Sequence, residues 1–123
     1  MIKRQNYKKL DVFQKSLSLA TSIVKDGNRI RPIRFMEQIV SSAVSIPSNI
    51  AEGAQMESYA HFLKYLRISL GSAAELETQL TIMKQANYSQ MDQINKWLSE
   101  VQEIQAMLVG LMDYFRKQAN SKL

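Results

Sequence analysis

The stretch AVSIPSNIAEG, Ala43 to Gly53, decides how this sequence is read. Pro47 lies in the middle of an apolar pattern at helical spacing. Proline lacks an N–H, so inside a helix it releases the carbonyl four residues earlier, here Ala43, and pushes the chain aside. Yet the rhythm Met36, Ile39, Ala43, Ile46, Ile50 passes through Pro47 without a slip. A helix that stopped there would have no reason to hold its phase. The stretch predicts one continuous second helix, kinked near Pro47, with Ser45 or Ser48 placed to satisfy the freed backbone. It should end at Gly53, a residue that readily takes the left-handed conformation of a helix C-terminus.

Three further stripes lie on either side. Leu10, Phe13, Leu17, Ala20 and Val24 step by three and four residues in the first segment. Phe62, Leu66, Ser69, Ala73, Leu76, Leu80 and Met83 form the third, and Ile94, Trp97, Val101, Ile104, Leu108, Leu111 and Phe115 the fourth. Each places one apolar face on a helix, at the spacing of left-handed bundle packing. The breaks fit helix ends. Asp26-Gly27-Asn28 closes helix 1, Pro32 suits the first turn of helix 2, Ser58 can cap helix 3, and Ser89 with Asp92 reads as a capping box for helix 4. Short loops favour antiparallel neighbours. The expected fold is all-α: a single domain over residues 1–123, an antiparallel up-down four-helix bundle with a proline-kinked second helix.

Composition agrees with a compact globular chain. The 123 residues are 46% hydrophobic and 22% charged, with only four glycines and two prolines. There is no cysteine, which excludes disulfides and thiolate metal sites and fits the cytosol. The longest apolar run, AMLVGLM (Ala106 to Met112), is too short to span a bilayer, and the start MIKRQNYKKL lacks the apolar segment of a signal peptide. A cytoplasmic protein without a membrane partner is expected. The net charge of +5 is unevenly placed. Residues 1–34 carry nine Lys/Arg against two Asp, a balance of +7, and the rest of the chain is slightly acidic.

The words SIPSNIAEG (Ser45 to Gly53) and FLKYLRISLGSAAELETQL (Phe62 to Leu80) resemble one family. It comprises four-helix-bundle proteins encoded by intervening sequences within bacterial 23S rRNA genes. YKKLDVFQKSLSLA (Tyr7 to Ala20) resembles the family's first helix, with Phe13 where a tryptophan is common. The resemblance covers residues 7–90; helix 4 agrees only in pattern. It implies an up-down bundle that assembles as a ring-like homopentamer. It also implies kinship with accessory proteins of diversity-generating retroelements, which bind a reverse transcriptase and nucleic acid through a basic surface. The sequence departs from the family at Val40 and Ser41, where paired arginines are frequent, and at Gln55, Met56 and Glu57, where basic residues are usual. The loop GNRIRPIR (Gly27 to Arg34) is basic instead, so the basic surface is displaced.

An enzyme is not expected. His61 is the only histidine, so the Glu-x-x-His pairs of a di-iron bundle cannot form, and there is no phosphate loop or nucleophile elbow. No cofactor, metal or catalytic residue is assigned. For nucleic-acid backbone the candidates are Lys3, Arg4, Lys8, Lys9, Lys15, Arg29, Arg31 and Arg34, since clustered cations bind phosphate; a solvated basic face is the equally simple alternative. Tyr59, Leu63, Leu70, Val109 and Met112 lie beside the core stripes and are the candidate oligomer interface. Pro47, Asn49, Gly53 and Glu77 are assigned structural roles. Glu77, on the shoulder of the helix 3 stripe, should be hydrogen-bonded to a neighbouring helix or subunit, whereas Glu75 should be solvated. Two function classes follow: a homo-oligomer associated with RNA or DNA, or a protein-interaction scaffold such as a reverse-transcriptase adaptor.

Overall fold

The structure, a computed structural model, describes residues 6–88 and 90–121. The proposed Ser89 cap lies outside them. Four α-helices dominate: α1 (Asp11–Asp26), α2 (Ile33–Ala54), α3 (Tyr59–Gln85) and α4 (Met91–Ser121), with 3-10 turns at Tyr7–Lys9 and Gly27–Arg29. Each helix packs on its neighbours in chain order, and α4 returns to α1, so one core is enclosed by all four.

The stripes of α2 and α3 pack as the sequence predicts. Ile39, Ala43, Ile46 and Ile50 meet Phe62, Leu66, Ala73, Leu76 and Leu80, all fully buried or nearly so. The Ser58 hydroxyl accepts the His61 N–H at 3.2 Å and starts α3. The α2 helix runs unbroken through Pro47. Its hydroxyls serve the neighbouring helix more than the freed Ala43 carbonyl: Ser45 pairs with Ser72 at 2.7 Å and receives Asn49 Nδ2 at 2.9 Å. Asn49 also donates to the Ser45 carbonyl, and Ser69 of α3 donates to the Ile46 carbonyl beside the proline.

Three expectations change. Gly53 is inside α2, not beyond its end, and has no left-handed backbone. Its role is steric: a Cβ there would stand 2.7 Å from Tyr65 Cβ and 2.9 Å from the Phe62 ring. Only a bare Cα lets α3 approach this closely. Secondly, α1 buries Val12, Ser16, Leu19, Ala20 and Ile23, while Leu17 and Val24 are 43% and 54% exposed. This helix has two apolar stripes, and periodicity alone cannot say which one faces inward. Thirdly, the α4 core steps from Leu108 to Met112 and then Phe115, leaving Leu111 half-buried. An α-helix advances 3.6 residues per turn, so a strict seven-residue seam drifts off the core over eight turns.

Among the described residues no helix is long and apolar enough to cross a membrane.

Candidate functional site

The basic loop between α1 and α2 is built around a buried residue. Ile30 is 3% exposed and plugs the end of the core, so its neighbours Arg29 and Arg31 are driven to the surface. The loop is then tied from the α3–α4 connection. The Tyr88 hydroxyl accepts the Arg31 N–H at 2.7 Å and donates to the Arg29 carbonyl at 2.8 Å. Arg31 Nη1 turns back to the Asn28 carbonyl at 2.6 Å and the Ile30 carbonyl at 3.0 Å. Two arginines are thereby held on an ordered backbone at one end of the helices. Sequence reasoning missed Tyr88; its only signal was an aromatic ring in an otherwise polar turn, ANYSQ.

The other candidate cations do not gather there. Lys8 and Lys9 are exposed in the 3-10 turn before α1. The 16 residues of α1 separate them from Arg29, a distance of about 24 Å at 1.5 Å per residue. Lys15 pairs with Glu103 of α4 at 2.8 Å. That hydrogen bond and the charge of Glu103 raise the Lys15 pKa above the ordinary lysine value. Arg34 shares a polar surface groove with Glu37, Gln38 and Glu75, so nearby carboxylates oppose its field. Lys3 and Arg4 lie outside the described residues. What the chain presents as one run of charge is divided in space into separate groups.

The candidate interface residues also separate. Leu63 and Met112, each 6% exposed, pack in the chain's own core. Tyr59 and Leu70 are half-buried; Tyr59 stacks on Phe115 at 5.4 Å between ring centroids. Val109 is exposed. A larger apolar surface lies elsewhere, between α1 and α2, where Tyr7, Phe13, Leu17, Val24, Val44 and Pro47 line a groove of about 430 Å³.

Glu77 accepts Gln102 Nε2 at 2.9 Å and Gln105 Nε2 at 3.0 Å, linking α3 to α4 as a structural carboxylate. Glu75 is exposed but bound, accepting the Ser42 hydroxyl at 2.9 Å, so it is not merely solvated. His61 Nδ1 lies 2.8 Å from Ser58 Oγ at the start of α3. Among the described residues no group of three His, Cys, Asp or Glu side chains is placed to hold a metal ion.

Comparison with known proteins agrees with this geometry. A protein with unknown function from the S23 ribosomal protein family of Bacteroides thetaiotaomicron VPI-5482 has a similar crystal structure. It aligns with a TM-score of 0.77 and 30% sequence identity, over 82% of this chain and 97% of that one. No curated protein sequence matches. The family model of the 23S rRNA-intervening sequence protein matches residues 8–110, which include the unbroken proline helix, the Gly53 contact, the basic loop and most of α4. The chain belongs to the 23S rRNA-intervening sequence protein family.

Proposed function

We propose that this protein is a non-enzymatic, self-associating four-helix bundle that touches nucleic-acid backbone through the Arg29–Arg31 loop. The observation carrying this reading is the Tyr88 clamp, which orders a basic loop by its backbone and leaves it exposed. Phosphate contacts of this kind give affinity without reading sequence.

The bundle is up-down in this reading. Pairings between neighbours run in opposite senses: Ser42 with Glu75 and Ser45 with Ser72 across α2 and α3, Ser22 with Trp97 and Lys15 with Glu103 across α1 and α4. Pro47 bends α2, because its ring displaces the Ala43 carbonyl. Self-association as a ring is what the family resemblance implies, and the exposed apolar groove supports a second surface.

Replacing Arg29 and Arg31 by Gln tests the nucleic-acid role; the Tyr88 clamp uses only their backbone. Because Arg31→Gln also removes the Nη1 bonds to the Asn28 and Ile30 carbonyls, Arg29→Gln alone is the structurally neutral control. Binding of single-stranded RNA and of duplex DNA is measured by fluorescence anisotropy across salt. Affinity should fall, and the dependence of log K on log salt should flatten by about 1 for each lost phosphate contact. Unchanged affinity and slope would overturn the assignment. No binding by the unaltered protein would move the function to a protein adaptor.

A further inference from the structure

Beneath the basic loop, where the end of α1 meets the start of α4, lies a cavity of about 10 Å³. Met83, Ile94 and Trp97, all buried, form its apolar side. The indole N–H of Trp97 donates to the Ser22 hydroxyl at 3.0 Å and is thereby satisfied. The polar side includes Asp26, the last residue of α1, and Gln93 in the first turn of α4.

Gln93 Nε2 is buried and meets no hydrogen-bond partner among the described residues. A buried amide donor without a partner destabilises a fold, and such donors are rarely left unpaired. The Tyr88 hydroxyl lines the same cavity but is already engaged by the Arg31 N–H and the Arg29 carbonyl. The Asp26 carboxylate lines it too, yet it does not reach Nε2 directly. At the end of α1 a carboxylate opposes the helix dipole, so Asp26 does not serve the helix that carries it.

Size and polarity together select what bridges these two groups. The space suits one water molecule and is too small for a phosphate group or an organic ligand. The bridging species accepts from Gln93 Nε2 and also faces the Asp26 carboxylate. A halide accepts but is repelled by Asp26; a metal cation suits the carboxylate but cannot accept an N–H. Water accepts and donates, and a bridging water is nearly as good as a direct bond.

We propose that one ordered water occupies this cavity, accepting from Gln93 Nε2 and donating to the Asp26 carboxylate. It joins the end of α1 to the first turn of α4 directly beneath the basic loop. The assignment is independent of whether that loop touches nucleic acid.

Nuclear magnetic resonance of the intact chain tests it. Cross-relaxation between water and the Gln93 side-chain amide protons should carry the sign of a long-resident water, which bulk water does not give. Oxygen-17 relaxation dispersion, which counts long-lived waters, should fall by one in Gln93→Leu, a change that removes the donor and keeps an apolar side chain of similar length. Asp26→Ala, at the end of a helix, leaves the donor in place and should weaken or abolish the signal at Gln93. No long-resident water at the Gln93 amide of the wild type would overturn the proposal. An unchanged water count in Gln93→Leu would overturn it as well. A signal of full strength in Asp26→Ala would overturn the bridge to α1.

Discussion

Tyr88 and Arg29 stand 59 residues apart in the chain and are joined by a 2.8 Å hydrogen bond from the Tyr88 hydroxyl to the Arg29 carbonyl. The same hydroxyl accepts the Arg31 N–H. One side chain from the α3–α4 connection thus satisfies two backbone groups of the α1–α2 loop. Tyr88→Phe should destabilise the fold by about 1 kcal/mol, the usual net worth of such bonds. The Arg31 amide should also exchange its hydrogen faster. Denaturant unfolding and amide exchange check both; an Arg31 amide equally protected in the variant would show that Ile30 alone holds the loop.

Gly53 marks a close approach between α2 and α3. With Tyr65 Cβ 2.7 Å from an added Cβ, the clash involves atoms close to the backbone, which cannot rotate away. Gly53→Ala gains helix propensity, worth about 1 kcal/mol, but overpacking costs about 1–3 kcal/mol. The expected outcome is a net lower melting temperature. An equal or higher one would show that α3 shifts outward freely.

Glu77→Ala removes an acceptor shared by Gln102 and Gln105. Both amides can reach water, so the loss should be modest, about 1 kcal/mol. Glu77→Gln should recover part of it, because the amide oxygen still accepts one bond. A denaturation midpoint unmoved by the alanine change would remove Glu77 from the forces joining α3 to α4.

The Lys15–Glu103 pair sets a pH dependence whose sign follows from the raised lysine pKa. A group that holds its proton more tightly when folded stabilises the folded state. That contribution is fully present below the ordinary lysine value and disappears as pH rises through the higher folded value. Stability at neutral pH is therefore insensitive to the titration of Lys15, whose contribution is lost above neutrality only in strongly alkaline solution. Comparing the wild type with Lys15→Gln by thermal unfolding from pH 7 upward tests this: the gap between them should close only at the alkaline end. The pair lies at the surface, where screening by salt should also narrow the gap.

The sequence by itself determined the helices and two of their inner faces. Apolar spacing through Pro47 was enough to predict an unbroken α2, because a helix surface repeats every 3.6 residues whether or not one hydrogen bond is missing. The Ser58 cap was legible for a similar reason: its partners lie within one turn. The position of Glu77 on the shoulder of the α3 stripe also pointed to its hydrogen bonds with a neighbour.

Tertiary structure alone decided which of the two α1 stripes is buried, since Val12, Leu19 and Ile23 satisfy helical spacing as well as Leu17 and Val24 do. It also decided why residue 53 is a glycine, because the close approach is made by Phe62 and Tyr65 from another helix. The basic run of residues 1–34 looked continuous, but α1 is a rigid rod that holds its two ends apart, and Glu103 neutralises Lys15 across the bundle. Tyr88 joins a loop 57 residues before it. Local spacing acts within a turn or two of chain, whereas charge, steric approach and hydrogen bonding act through space.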